Sequence, residues 1–406
     1  MKILLLYQTF YPDVVATSQY LGELASALAE QGHSVTVITG RRAYDNPGKL
    51  FSKYEEWRGI KIIRLGSAGL GKDAKWKRAL DFASFMILCF LRMLFLQKQD
   101  VVVTLTSPPL ISFLGALLCR FRGSRFVYWV MDFNADEAIA AGWLRAGSLA
   151  AKVLEAISRF TLRQATGIVA LDHFMGDRIA AKGINRNKIY VIPPWSQDSD
   201  VQFDAVNREL FRKQHDMESH FVVMYSGNHS PCHPLDTVLQ GALKMAAERD
   251  IKFLFVGGGS QFPKVKDFAR QNLMANVLCL PYQPLNQLAG ALSSADAHLV
   301  VMGDPFVGLV HPCKVYNILK VGAPLLYVGP TPSHVTEIVQ EAGDEIDSAS
   351  VGHGEVDSLV ENILRLKKAQ KPRGNGDLPH CIDRFSKAAL LPQLVAVIEK
   401  PGNNLA

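Results

Sequence analysis

A lysine in an awkward place is the first residue with chemistry to offer. The string Val310-His311-Pro312-Cys313-Lys314-Val315-Tyr316-Asn317 lies between apolar runs at 297–301 and 325–328. The runs read as buried strands and the stretch between them as a loop and a helix. Pro312 suits the first helical position, and Gly322 with Pro324 closes the helix. Lys314 then falls in the first turn, where a cation opposes the helix dipole. An anion there removes the conflict, because free backbone N–H groups and the ammonium all point at it. His311 sits at the cap, Gly308 in the loop ahead, and Asn317 on the face of Lys314, placed for a sugar hydroxyl. The competing reading has Lys314 reaching out to solvent along its apolar stem.

Two more apolar runs end in small residues. Residues 221–225 lead into Ser226-Gly227-Asn228-His229, and residues 252–256 into Gly257-Gly258-Gly259-Ser260. Glycine lets a phosphate or ribose approach the backbone, although tight turns need glycine too. Three such strand ends in one βα array predict a nucleotide crevice along the C-terminal edge of a sheet. In the first half, Asp132 holds the equivalent place just past an apolar run at 126–130, as a carboxylate facing a ligand crevice or as a helix cap. His229 and His233 are secondary candidates, since a lone histidine is more often structural.

The elements that must position these residues alternate strand and helix throughout, which predicts an α/β fold with parallel sheets. Residues 2–7 read as a first strand rather than a signal peptide. Thr17 or Ser18 is expected to cap the helix that follows. The first loop lacks a Gly-x-Gly-x-x-Gly, which argues against a dinucleotide site there. Pro193-Pro194 and the polar residues 196–200 mark a boundary. The expected domains are 1–196, 197–380, and a C-terminal helix in 381–406 that packs back on the first domain.

Composition narrows the class. Of the 406 residues, 48% are hydrophobic and 20% charged, which is globular, and the net charge of +6 suits an anionic substrate or membrane face. Basic and aromatic residues do not interleave as in nucleic-acid binders. Six scattered cysteines form neither a disulfide frame nor a zinc site, and the thiols suit a cytoplasmic protein. Residues 72–98 and 110–125 each combine an apolar run with basic flanks, and neither reaches the about 20 apolar residues of a spanning helix. They read either as core helices or as a peripheral membrane face.

The strings Tyr225-Ser226-Gly227-Asn228, Phe255-Val256-Gly257-Gly258-Gly259, Pro281-Tyr282-Gln283-Pro284, Ser294-Ala295-Asp296 and His311-Pro312-Cys313-Lys314 carry a resemblance. Across nearly its whole length the chain resembles glycosyltransferase family 4, near the colanic-acid and O-antigen type transferases. That resemblance implies the GT-B fold, two Rossmann-like parallel-sheet domains facing a central cleft. It further implies a retaining, metal-independent transferase of hexosyl type in cell-surface polysaccharide synthesis, at the inner face of the cytoplasmic membrane. A nucleotide sugar, UDP-linked by expectation, would bind the C-terminal domain through Ser226, Gly227, Asn228, Gly257, Gly258, Gly259, Tyr282, Gln283, Gly308, Lys314 and Asn317. A lipid-linked or glycan acceptor would bind the N-terminal domain. Lys314, Asp132 and His311 are the expected catalytic residues. The chain departs from the family where paired glutamates spaced Glu-x7-Glu fall on Leu309 and Asn317, and where Pro231-Cys232-His233-Pro234 replaces an expected Arg or Lys. The first loop, Val14-Val15-Ala16-Thr17-Ser18-Gln19, departs too, in place of a glycine-rich one. The departures keep two other readings open, a nucleotide-sugar binder without turnover and a GT-B sugar-nucleotide epimerase.

Overall fold

Short β-branched and aliphatic runs separated by amphipathic segments pair in parallel, because each crossover helix covers a sheet face and leaves the strands apolar on both sides. A computed structural model of the protein describes residues 1–13, 15–43, 48–67, 69, 75–196, 201–369 and 378–400. Val14 of the first loop, Lys72 of the basic run and residues 197–200 of the expected linker lie outside these, as do the side chains of Lys75 and Arg78. The chain divides into one unit of residues 1–194 with 388–406 and a second of residues 195–387.

In the first unit the strands are β1 (Lys2–Leu6), β2 (Ser34–Gly40), β3 (Tyr54–Trp57), β4 (Ile60–Leu65), β5 (Val101–Thr104), β6 (Arg125–Trp129), β7 (Gly167–Ala170) and β8 (Ile189–Val191). They form one sheet in the order β3-β4-β2-β1-β5-β6-β7-β8, parallel except for β3, which runs antiparallel to β4. Helix Ala16–Glu30 follows β1 and begins after Val15 with no side-chain cap. Neither Thr17 nor Ser18 caps it, because their hydroxyls have tertiary partners. Thr17 accepts from the Tyr7 hydroxyl at 2.7 Å, and Ser18 donates to Thr9 Oγ1 at 2.7 Å.

The two apolar runs with basic flanks behave differently. Helix Ile111–Arg122 sends Ile111, Leu114, Ala116 and Cys119 into the core, so most of the second run is packing surface and only Leu110 and Phe121 of its large apolar residues stand exposed. Helix Lys75–Leu94 buries Phe85, Cys89 and Met93 but leaves Ile87, Leu91 and Leu94 outside. Among the described residues no helix is long and apolar enough to cross a membrane.

The second unit holds β9 (Phe221–Asn228), β10 (Ile251–Gly258), β11 (Val277–Leu280), β12 (Ala297–Val301), β13 (Leu325–Val328) and β14 (Ser348–Val351). All pair in parallel, in the order β11-β10-β9-β12-β13-β14. Counted from β9 this is 3-2-1-4-5-6, the doubly wound order whose direction of winding reverses between β9 and β12. Val223, Tyr225, Phe253, Phe255, Leu299 and Val301 fill one core cluster. A buried carboxylate pins the N-terminal edge of the sheet: Asp296 accepts from Arg208 at 2.8 Å, from Arg212 at 3.0 Å and from the Val222 amide at 2.8 Å.

Candidate functional site

Ligands of doubly wound sheets bind where the winding reverses, outside the carboxyl ends of the strands. In the second unit those ends belong to β9, β10 and β12. Register sets Gly257 opposite Gly227 and Gly258 opposite Asn228, so two glycine-bearing strand ends lie side by side. They lie too close for a side chain. A Cβ on Gly257, whose φ is +136°, would stand 2.0 Å from the Gly227 carbonyl oxygen. Side chains along a strand alternate, so Tyr225 and the open position at Gly227 share one face of β9.

Lys314 occupies that face. Its Nζ lies 3.7 Å from the Tyr225 ring centroid, and a Cβ on Gly227 would meet its Cε and Nζ at 3.4 Å. The stem is partly exposed, but Nζ itself is buried and has no hydrogen-bond partner. Burial pulls this ammonium down to about 7. The π face of Tyr225 offers partial compensation for the charge.

Two neutral histidines flank it. The His229 ring is fully buried, with Nδ1 3.0 Å from the Gly227 carbonyl, and His233 Nδ1 lies 2.7 Å from the Val301 carbonyl. A carbonyl accepts only, so each Nδ1 carries the proton and each Nε2 keeps its lone pair. His229 Nε2 is buried without a hydrogen-bond partner. Burial, and then the neighbouring Lys314 charge, lowers His229 to about 4 and His233 to about 3. Both rings therefore stay neutral and add no positive charge where the chain lacks the family's Arg or Lys.

The other residues expected in this unit are arranged less uniformly. Gly258 abuts the Tyr282 ring, 60% exposed, and the Gln283 amide donates to the Pro281 carbonyl of its own loop at 2.8 Å. Ser226 and Asn228 close β9, and Gly259 follows β10 with φ +120°. Gly308 holds φ +69° in the loop before Lys314. Leu309 is buried and Asn317 half-buried, at the two places the family gives to glutamate.

The helix differs from the expectation. It spans Lys314–Lys320 with Cys313 at the cap, so Pro312 is not its first residue and His311 is not its cap. Residues 310–312 are non-helical and the cap, Cys313, takes αR angles, which moves the start two places on. Gly322, at φ +57°, then ends a helix of seven residues. So short a helix contributes little dipole, and the electrostatics rest on the ammonium. His311 turns to other partners, its Nε2 2.7 Å from the Tyr316 hydroxyl and its ring stacked on His334 at 4.0 Å.

In the first unit, Asp132 follows β6. It does not cap the next helix, Asn134–Ala140, whose cap is Phe133 with no side-chain bond. Burial, and then repulsion from Glu137, raises its carboxyl to about 7. A carboxylate so tuned is suited to exchange a proton near neutral pH. Sequence reasoning named His229 only as a secondary candidate and missed Tyr225 as a part of the Lys314 site. The period-two pattern of β9 held the only signal, since it puts Tyr225 on the same face as Gly227.

Known proteins add the family context. Residues 16–195 match the model of the Glycosyl transferase 4-like domain. The chain is 27% identical to the Putative colanic acid biosynthesis glycosyl transferase WcaI of Escherichia coli (strain K12), over 79% of this chain and 82% of that protein. Anabaena HepE, solved in complex with UDP-glucose, superposes with a TM-score of 0.72 at 14% identity, over 99% of this chain and 100% of that one. WaaG, a glycosyltransferase involved in lipopolysaccharide biosynthesis, gives 0.68 at 14% identity, over 98% and 100%.

Proposed function

We propose, from the premise that this chain is a glycosyltransferase of the GT-B fold with a family 4-like domain over residues 16–195, a specific reaction. The enzyme transfers a hexosyl group, with retention, from a UDP-sugar to a lipid-linked or glycan hydroxyl in cell-surface polysaccharide synthesis. The observation that carries this reading is the buried, unpartnered ammonium of Lys314 at the strand ends of the second unit. Support for the donor class comes from HepE, solved with UDP-glucose, and for the pathway class from the WcaI relative.

In the proposed reaction the bond from the anomeric carbon to the β-phosphate oxygen breaks, and the acceptor oxygen bonds to that carbon. Charge gathers on the departing diphosphate. Lys314 stabilises that charge more in the transition state than in the ground state, an effect worth about 3 kcal/mol or 100-fold in rate. Backbone at Ser226, Gly227, Asn228, Gly257, Gly258 and Gly259 approaches the nucleotide. Gly308 shapes the loop before Lys314, Asn317 takes a donor hydroxyl, and Tyr282 and Gln283 border the base. In the first unit Asp132 orients the acceptor hydroxyl and accepts its proton. His311 acts through Tyr316 and His334 as a positioning group.

We assign the enzyme to the inner face of the cytoplasmic membrane as a peripheral protein, through the outward apolar residues of helix Lys75–Leu94. The test is incubation with labelled UDP-, GDP- and dTDP-sugars and a membrane lipid extract. Label should move from UDP-sugar into the organic phase and should be lost with Lys314→Ala. Release of a converted free UDP-sugar with no acceptor would replace transfer by epimerisation. Donor binding with no turnover across acceptors would leave a binding protein.

A further inference from the structure

Two imidazoles bracket the end of β12. His233 Nδ1 lies 2.7 Å from the Val301 carbonyl, and His353 Nε2 lies 2.9 Å from the next one, that of Met302. A carbonyl only accepts, so each of these nitrogens carries the proton, and in the neutral ring the other nitrogen keeps a lone pair. His233 sits within reach of the Lys314 charge. His353 instead lines a cavity of about 440 Å³ in the second unit, whose walls include neither Lys314 nor Gly227. Three segments build it. Pro234 and helix Asp236–Lys244 follow β9, residues 303–306 follow β12, and residues 353–356 follow β14. The Gly354 amide donates to Thr237 Oγ1 at 2.9 Å and the Gly303 amide to the Cys232 carbonyl at 2.9 Å, which ties the first segment to the other two.

The lining has a defined chemistry. Pro234, Pro305, Phe306 and Val356 make it apolar, while Asp236, Asp304, Gln240 and His353 supply polar groups. Among the described residues the two carboxylates and the Gln240 amide have no hydrogen-bond or ion-pair partner, and no lysine or arginine lines the cavity. Ionised carboxylates accept and never donate, and the His353 lone pair does the same. A cavity of this kind repels phosphate and calls for a ligand that brings its own O–H groups. A neutral sugar does so: its ring has apolar C–H faces and a rim of hydroxyls, matching mostly apolar walls with a few placed polar groups. The volume also falls in the range of small-ligand pockets. An amine would pair with Asp236 and Asp304, but both are exposed, where an ion pair is worth at most about 1 kcal/mol. It would also leave the proline and phenylalanine walls unused.

We propose that this cavity binds a neutral sugar residue of a glycan chain, outside the donor crevice, with Asp236, Asp304 and His353 Nδ1 accepting its hydroxyls. The inference goes beyond the reaction above. That reaction places the acceptor hydroxyl at Asp132 in the first unit, whereas this site holds a further sugar on the second unit and uses none of the groups around Lys314.

The test is saturation-transfer NMR of the full chain at pH 7.5 with maltose, cellobiose, lactose and N,N′-diacetylchitobiose, each with and without UDP. At least one disaccharide should bind, and UDP should not displace it. Asp304→Ala should raise its dissociation constant by about 10-fold or more, the value of one hydrogen bond to a charged group. Gln240→Trp, made from an exposed position on the rim, should fill the cavity and abolish the signal. Neither variant should lower the melting temperature, because neither side chain has an internal bond to lose. Binding of no disaccharide to the wild type overturns the proposal. So does wild-type binding by both variants, which would put the sugar elsewhere on the chain, and so does displacement by UDP, which would put it in the donor crevice. Binding of spermidine in place of the disaccharides would assign the cavity to an amine and overturn it as well. UDP affinity at Lys314 is read in separate sugar-free samples and should be unchanged in both variants, so the failure of either reading leaves the other standing.

Discussion

Removing the charge of Lys314 should stabilise the ligand-free protein. An ammonium that titrates near 7 when folded and near 10.4 when unfolded opposes folding. Below pH 7 both states bind the proton, and the full penalty of burying the charge applies. Between pH 7 and about 10.4 the unfolded chain binds a proton that the folded chain lacks, so the penalty fades as pH rises. A separation of that size corresponds to a ceiling of about 5 kcal/mol, and relaxation and water around the partly exposed stem reduce it. Even about 2 kcal/mol moves the melting temperature of a unit this size by about 5 °C. Lys314→Met keeps the stem and deletes the charge. Its melting temperature should exceed that of the wild type at pH 6, with the gap closing toward pH 10. Added UDP should then raise the wild type through linked binding and raise the variant by less at the same concentration. A variant less stable than the wild type at pH 6, and equally protected by UDP, would refute the reasoning.

Three further outcomes follow from the same geometry. Asp132 titrates near 7, so the transfer rate should rise with pH through that region as the carboxylate forms. Asp132→Asn should remove this limb of the pH–rate profile and lower kcat by about 10²- to 10⁴-fold. Gly257→Ala places a Cβ 2.0 Å from the Gly227 oxygen at φ +136°, and should lower stability by at least about 2 kcal/mol in denaturant unfolding while abolishing UDP binding. Asp296→Ala leaves the buried Arg212 without its counter-charge and the Val222 amide without its carboxylate acceptor, and should destabilise the second unit by about 3–5 kcal/mol, read as an earlier unfolding transition.

Much of the candidate site was legible because local sequence rules were broken in view. Lys314 announced itself by standing at the wrong end of a helix, and Gly227, Gly257 and Gly259 by following apolar runs. The resemblance to family 4 and the two-sheet GT-B fold are both borne out. The helix start was misread because Pro312 fits two places, inside a first turn or just before it, and the backbone of Cys313 decides between them. The contact of Lys314 with Tyr225 was out of reach because it joins residues 89 positions apart through a strand order the sequence does not print. The apolar run of 82–91 was ambiguous for a simple reason: the helix is apolar on both sides, and only packing shows that Phe85 and Cys89 face inward while Ile87 and Leu91 do not.

The central claim is that a pyrophosphate completes the unpaired ammonium of Lys314. Calorimetric titration of UDP into the wild type and Lys314→Ala at pH 6, where the lysine is charged, tests it most directly. The account predicts dissociation constants about 10- to 100-fold higher in the variant, with net proton uptake on binding to the wild type at pH 8 and none in the variant. Equal affinities in the two proteins, with equal proton exchange, would contradict it.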